Sequence, residues 1–271
     1  MACKDAFRNT IIERQDMNFA QNEITTEDIS EAPAPDRLFF GVDSRRSSNA
    51  LLQNNLTNFE WASRNKLYPN FWGRNINGEN ALTIEEIDFL HDKGCRIAAI
   101  YSDASVKETE EQGKMLAKKA DLAAYWLGIP ENTALFLEIG ETENVTTEFM
   151  TGFAAALIEE GYTPGFMANT DAAFGFDREF SGGMQSHKDI FEKCLVWATA
   201  PSLKEYDRVT TTHLIHPDNW APFAPSGITQ NKIAAWQYGK NCHPISEING
   251  NETAFNIDLL KDENIIINKM F

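Results

Sequence analysis

Three acidic residues lie within or directly after short apolar runs of this sequence. If these runs are β-strands, the acidic side chains lie at or near the strand ends, where they could take part in acid-base chemistry. Glu138 lies within the apolar part of TALFLEIGETEN (133–144), Glu141 follows it after Gly140, and Asp43 ends the run LFFGV. Hydrolysis of a glycosidic bond needs two carboxyl groups, one to protonate the leaving oxygen and one to act as nucleophile or base. Asp43, Glu138 and Glu141 are therefore the candidate catalytic residues.

Other strand ends carry residues that could bind a sugar. Aromatic rings can stack on the apolar face of a pyranose, while carboxylates, amides and guanidinium groups bind its hydroxyls. The predicted substrate-binding residues are Arg74, Tyr101, Asp103, Asn169, Trp236, Gln237 and Tyr238. The two aromatic residues of the Trp-Gln-Tyr stretch could equally be core residues of a strand.

Each candidate carboxylate also has a structural interpretation. A carboxylate inside an apolar strand costs several kcal/mol when it is buried without a partner. Glu138 must therefore be paired, lie at the strand end or be protonated, and an ion pair with Arg74 is the structural alternative to a site role. Asp43 could cap a helix or pair with Arg45, and Glu141 could belong to a solvated loop.

Short apolar runs that alternate with helical patterns predict βα units and a parallel sheet. Strands are predicted at 37–44, 68–76, 95–103, 134–140, 161–169, 194–201, 211–216 and 232–239, with helices near 47–65, 83–93, 106–127 and 145–160. Eight strands with an irregular last third favour an α/β fold, a (β/α)8 TIM-like barrel with degenerate last helices. An open doubly wound sheet is the alternative, but no GxGxxG loop follows any strand.

The predicted domain organisation is a polar N-terminal arm or linker at 1–37 and a barrel at 38–271, since the arm lacks periodicity and ends in SEAPAPDR. In a parallel barrel the active site forms at the C-terminal ends of the strands. The polar residues at those ends are therefore predicted to meet at one mouth.

Several stretches resemble, in order, segments of the glycoside-hydrolase-like barrel family related to the family 25 lysozymes, which are muramidases. They are FFGVDS, FWGRNI, LTIEEIDFLHDKGCRIAAIY, AKKADLAAYWLGIPENTALFLEI, GYTPGFMAN and WQYG. The resemblance spans roughly residues 38–260. It implies a barrel with degenerate final helices, with Asp43 at the first-strand Asp site, Arg74 as the arginine of the glycoside-hydrolase-like branch, and residues 236–238 lining the groove.

The sequence departs from the lysozyme pattern at two places. Glu138 stands where that family has Asp, and Gly140 stands where it has the catalytic Glu. Because strand side chains alternate, residues 138 and 140 share one face, and glycine supplies no group there. A bend at Gly140 could bring Glu141 into the mouth. The closing motif is inverted, with Asn256 and Asp258 where the family has Asp and then Asn.

Composition excludes several classes of partner. With 24 Lys and Arg against 40 Asp and Glu, the net charge of −16 argues against a nucleic-acid partner. No apolar run approaches the roughly 18 residues of a membrane-spanning helix, so no membrane insertion is expected. No signal peptide is apparent, so the chain is expected to be cytoplasmic as synthesised, or exported without a signal. No metal-ligand spacing occurs among the four cysteines, and no cofactor is implied.

Three functional hypotheses follow from these observations. The first is a glycoside hydrolase acting on bacterial cell-wall glycan, with Glu141 or Glu138 as general acid and Asp43 as its electrostatic or nucleophilic partner. The second, favoured by Gly140, is a catalytically impaired barrel that binds glycan. The third is a cargo or effector delivered by a phage or an injection machine, since a wall-directed barrel lacks a signal peptide. Carbohydrate is the expected partner in the first two, and a delivery apparatus in the third.

Overall fold

A closed barrel of eight strands forms the centre of the protein. The computed structural model describes residues 38–52, 55–141, 143–229, 232–244, 254–261 and 266–271, so the predicted arm lies outside the described residues. The strands, in chain order, are β1 (Phe39–Asp43), β2 (Phe71–Asn75), β3 (Arg96–Ser102), β4 (Ala134–Glu138), β5 (Thr163–Ala168), β6 (Leu195–Ala198), β7 (Arg208–Val209), β8 (Ile233–Pro244) and β9 (Phe255–Leu260). All except β7 belong to the barrel.

The strand order confirms the predicted TIM-like barrel and corrects its last part. Strands β1 to β6 pair with their chain neighbours in parallel, and β6 pairs with β8 to close the ring. Strand β9 lies between β8 and β1 and is antiparallel to both. The strand predicted at 211–216 is wrong, because Thr210 caps a short helix there. The eighth barrel strand is β9 instead.

Seven helices pack outside the barrel within the described ranges. They are α1 (Asn58–Arg64), α2 (Ile84–Asp92), α3 (Glu110–Trp126), α4 (Thr147–Glu159), α5 (Gly175–Ser186), α6 (Lys188–Phe191) and α7 (Thr211–Leu214). Helices α1 to α4 each begin at a threonine N-cap whose side chain accepts a backbone N–H bond, at Thr57, Thr83, Thr109 and Thr146. None of these helices combines the length and the apolar character that a membrane crossing requires.

Alternation of side chains along the strands separates two apolar layers. One layer lies between the strands and the helices, and the other fills the inside of the barrel. Inside, Trp197 makes edge contacts with Phe136 (centroids 5.3 Å apart) and Phe71 (6.1 Å). The part of the barrel away from the C-terminal ends of the strands is therefore a packed apolar core. Among the described residues, the inward polar groups lie nearer those C-terminal ends.

The C-terminal segment closes the opposite end of the barrel. Ile266 and Met270 are buried against the inner apolar layer. The backbones of Phe271 and Ile97 exchange two hydrogen bonds of 2.7 and 3.2 Å, and Arg96 donates to the carbonyl of Ile267 at 2.8 Å. The barrel is therefore open to solvent chiefly at the mouth formed by the C-terminal ends of its parallel strands.

Candidate active site

A groove of about 560 Å³ lies at the C-terminal ends of the barrel strands. Its charged and amide-bearing lining residues are Asp43, Arg45, Arg46, Asn75, Glu138, Glu141, Gln237, Lys240, Asn241 and Asn256. No aromatic ring occurs among the described residues that line it. The structure thus brings together all three predicted catalytic carboxylates and one of the predicted binding residues, Gln237.

Asp43 ends β1 and faces into the mouth, held by two amide donors. Its carboxylate accepts hydrogen bonds from Gln237 Nε2 at 2.7 Å and Asn256 Nδ2 at 2.9 Å. Burial raises the pKa of Asp43 above its ordinary value, the two amide hydrogen bonds oppose that rise, and the charge of Glu138 adds to it. Asp43 is therefore a carboxyl group with an increased tendency to keep its proton.

Glu138 ends β4 and faces the same groove. A short chain of hydrogen bonds orients it, because Asn75 Nδ2 donates to Ser102 Oγ at 2.6 Å and Ser102 Oγ donates to the Glu138 carboxylate. These donors come from β3, which pairs with β4, and from β2, which pairs with β3. The predicted site residues did not include Asn75, Ser102 or Asn256, although each stands at an inward position near a strand end and Asn256 belongs to the closing motif.

Asp258 lies beneath Asp43 on β9 and is fully buried. Trp197 Nε1 donates to its Oδ1 at 3.0 Å. Burial raises the pKa of Asp258 well above its ordinary value, and the negative charge of Asp43 raises it further. Asp258 therefore faces Asp43 from below the groove, and of these two carboxyl groups the deeper one has the stronger tendency to keep its proton. The alternation in FNIDLL is the sequence signal that could have placed Asp258 inward.

Replacing Asp258 by asparagine is expected to change the pH dependence of stability. A carboxyl group whose pKa is raised by folding stabilises the fold fully below its unfolded pKa, about 3.9, and loses that contribution as pH rises through its folded pKa. The stability of the wild type relative to Asp258→Asn should therefore fall with rising pH, by up to about 1.4 kcal/mol per pH unit. Urea unfolding at several pH values from 4 to 8 measures this, and a difference independent of pH would contradict it.

Glu141 lies at the rim of the groove with its charge engaged. Its Oε1 accepts from Lys240 Nζ at 3.2 Å and from Asn169 Nδ2 at 3.3 Å, and the Glu141 and Lys240 side chains are 44% and 41% exposed. The expected bend does not use a left-handed glycine, since Gly140 is outside the positive-φ region. A turn closed by the Glu143 N–H bond to the Gly140 carbonyl, 3.0 Å, follows the strand.

Glu143 packs against Gly140, the inward position that lacks a side chain. A Cβ placed on Gly140 would lie 3.3 Å from Glu143 Oε1. Buried Lys107 holds Glu143 in an ion pair of 2.7 Å and donates to the carbonyl of Asp103 at 2.6 Å. Lys107 thus ties the loop after β4 to the loop after β3. Asp103, predicted to bind substrate, belongs to this loop connection and does not line the groove.

The predicted aromatic binding residues point away from the groove. Tyr101, Trp236 and Tyr238 are buried in the layer between strands and helices, and Trp236 Nε1 donates to the carbonyl of Ala200 at 2.8 Å. Alternation explains the correction, because Gln237 faces the mouth and its two neighbours must face the other way. These three rings cannot stack on a sugar in the groove. Asn169 does not line the groove either, but its side chain donates a hydrogen bond to Glu141, which does.

Arg74 also points outward, and its partner is Glu86 instead of Glu138. The side chain is 0% exposed, with its Nε 2.8 Å from Glu86 Oε1 and its Nη2 3.1 Å from Oε2. Its Nη1 donates to the carbonyl of Ser44 at 2.6 Å, and Glu86 Oε1 also accepts from the backbone of Ser48 at 2.6 Å. Arg74 therefore does not bind a ligand in the groove; it anchors the loop that follows β1.

Comparisons with known proteins agree with this architecture. The model of a family described as Rv2525c-like, glycoside hydrolase-like domain matches residues 45–266. The structure of an uncharacterized B. stearothermophilus protein is similar with a TM-score of 0.70, at 22% identity, covering 86% of this chain and 100% of that one. This likeness shows a shared fold. No curated protein sequence matches the chain.

Two further solved structures are less similar to this chain. The modular autolysin LytC from Streptococcus pneumoniae has a TM-score of 0.47 at 9% identity, over 82% of this chain and 46% of that one. The bacterial lysozyme from Streptomyces coelicolor has a TM-score of 0.45 at 11% identity, over 83% of this chain and 92% of that one.

Within the described part of this chain, no group of three or more His, Cys, Asp and Glu residues is arranged to hold a metal ion.

Proposed function

Because the chain belongs to the Rv2525c-like, glycoside hydrolase-like domain family, we propose that it hydrolyses glycosidic bonds in a bacterial cell-wall glycan. The membership agrees with the family predicted from the sequence. The observation that supports the proposal most directly is the placement of Asp43 and Glu138, which face one open groove from β1 and β4. Cell-wall glycan is proposed as the substrate because the ordered motifs resemble those of a glycoside-hydrolase-like barrel family that is related to the muramidases.

In the proposed reaction the roles expected from the sequence are exchanged, so that Asp43 is the general acid and Glu138 is the nucleophile or base. The raised pKa of Asp43 suits a group that must keep a proton until the leaving oxygen takes it. As the bond from the anomeric carbon to that oxygen breaks, Glu138 either attacks the anomeric carbon or removes a proton from the water that attacks it. The configuration of the new reducing ends, read by NMR, distinguishes these two courses.

Digestion of purified peptidoglycan by the full chain tests the proposal. Soluble fragments with new reducing ends are expected by mass spectrometry for the wild type, and Asp43→Asn is expected to reduce their release by about 10²–10⁴-fold because the transferable proton is lost. Glu141→Gln is the matched control at the rim and should retain activity. Absence of fragments from the wild type on peptidoglycan and on a panel of β-linked glycans would contradict the proposal.

Glycan binding without cleavage is the second candidate function, and one feature of the fourth strand favours it. Gly140 supplies no carboxylate at the inward position where the resemblance implies the catalytic Glu, and Glu141 beside it is engaged by Lys240. Retention of the wild type on insoluble peptidoglycan, with no release of fragments, would support this candidate over hydrolysis.

A further inference from the structure

The groove is lined by as many carboxyl groups as cationic side chains, but two of the cations lack a partner among the described residues. The chain has a net charge of −16, yet three cationic residues, Arg45, Arg46 and Lys240, line the groove. Lys240 is neutralised by Glu141 at 3.2 Å. The guanidinium groups of Arg45 and Arg46 are exposed, and neither makes a hydrogen bond or ion pair in the described part of the chain. These two side chains are therefore available to a ligand.

The backbone that carries the two arginines is fixed from inside the protein. Ser44 Oγ accepts from the N–H of Arg46 and donates to its carbonyl, both at 3.0 Å. The Ser44 carbonyl in turn accepts from buried Arg74 at 2.6 Å. The turn directly after Asp43 is thus anchored, while its two long side chains remain free. Because the turn is already fixed, only the two side chains have to be ordered when a ligand binds at this position, which limits the entropy cost of binding.

Unpaired guanidinium groups at this position are suited to an anion. Their planar donors match the oxygen pairs of a carboxylate or a phosphate, and such charge-assisted bonds are about twice as strong as bonds between neutral groups. The hydroxyls of a neutral sugar can accept hydrogen bonds from arginine but carry no charge, so an anionic sugar gains more from two adjacent arginines. The acidic surface elsewhere repels anions, so a cationic element beside the mouth is needed to hold an anionic chain.

We propose that the groove takes a glycan with an anionic substituent, a carboxylate or a phosphate, and that Arg45 and Arg46 bind that substituent. The proposal rests on the proposed function, since it assumes that the groove binds glycan, and it defines the substrate class. Arg45 and Arg46 lie two and three residues after Asp43 and line the same groove. The charged substituent is therefore placed close to the glycosidic oxygen to which Asp43 would transfer its proton.

Titration calorimetry with three probes that share a β-linked tetrasaccharide backbone tests this proposal. The probes are neutral chitotetraose, the peptide-free GlcNAc–MurNAc tetrasaccharide with its lactyl carboxylates, and 6-O-phosphorylated chitotetraose. All measurements use the full chain with Glu138→Gln, so that no probe is consumed. At least one anionic probe is expected to bind at least about tenfold more tightly than the neutral one, and added salt should weaken this preference. The stronger of the two identifies the substituent.

Adding Arg45→Ser and Arg46→Ser is expected to reduce the preference for the anionic probe to within about twofold, with affinity for the neutral probe unchanged. The matched control is Arg64→Ser with Lys118→Ser, which removes the same charge from exposed positions on α1 and α3. Equal binding of neutral and anionic probes would overturn this inference and leave glycan binding intact. Binding of none of the probes would overturn both, and an unchanged preference in the arginine variant would overturn the role of the two arginines.

Discussion

Glu138→Gln is expected to lower the turnover of cell-wall glycan by about 10²–10⁴-fold while the fold is retained. Glutamine keeps an oxygen that can accept the hydrogen bond from Ser102 Oγ, so the side chain should stay in place. It removes the negative charge that attacks the anomeric carbon or activates water. Initial rates of reducing-end formation should show the loss in kcat with KM little changed, as expected for an interaction that matters in the transition state.

The control for this prediction separates charge from position. Ser102→Ala leaves the Glu138 carboxylate intact and removes only the donor that orients it, so a smaller loss of turnover is expected. Substantial activity in Glu138→Gln would show that the carboxylate pair is misassigned. Loss of activity together with loss of cooperative unfolding would instead show that Glu138 is needed for the fold.

Glu86→Gln is expected to destabilise the protein by about 3–5 kcal/mol, because it leaves the Arg74 guanidinium buried without a counter-charge. Both side chains of the pair are at most 1% exposed, so water cannot replace the lost partner. Urea denaturation of the full chain at neutral pH measures the effect. Hydrogen bonds from Arg74 to the carbonyl of Ser44 and from the N–H of Ser48 to Glu86 hold the loop that carries Arg45 and Arg46. Anion binding at the groove should therefore weaken as well.

Two further variants make the stability prediction specific. Glu110→Gln breaks the exposed pair with Lys114, in which the carboxylate and ammonium groups are 2.6 Å apart, and should leave the unfolding free energy almost unchanged because water solvates both groups. Replacing Arg74 by Met together with Glu86 by Leu removes both buried charges and should restore part of the stability lost in Glu86→Gln, because the carbonyl of Ser44 and the N–H of Ser48 lose their partners. Wild-type stability of Glu86→Gln would contradict the assignment of this pair as an anchor.

Local patterns were sufficient to predict most of the barrel, since seven of the eight predicted strands coincide with strands of the structure. The exception, 211–216, contains β-branched residues typical of strands, but Thr210 starts a short helix there. Strand β9 was missed although its residues alternate between apolar and polar. Its antiparallel position between β8 and β1 depends on pairing between distant parts of the chain, which no local pattern reveals.

The candidate site was predictable where side-chain alternation was applied strictly. This reasoning placed Glu138 and Gly140 on one inward face, as observed. Trp236 and Tyr238 were assigned to the mouth together with Gln237, although neighbours on a strand must face opposite sides. Thr83 and Glu86 have the sequence spacing of a capping box, but only the Thr83 half of the box forms. The carboxylate binds Arg74 instead, a pairing that depends on the packing of α2 against β2.

The position of β9 has a consequence for how the chain is made. During synthesis β1 emerges early, but one of its edges has no partner until residues 255–260 have left the ribosome. The matching edge of β8 waits for the same segment. The unpaired N–H and C=O groups of a strand edge can pair with other chains. A nascent or prematurely terminated polypeptide therefore exposes two such edges, which are paired in the closed barrel. Chaperones and proteases could therefore distinguish complete molecules from incomplete ones by a single late strand.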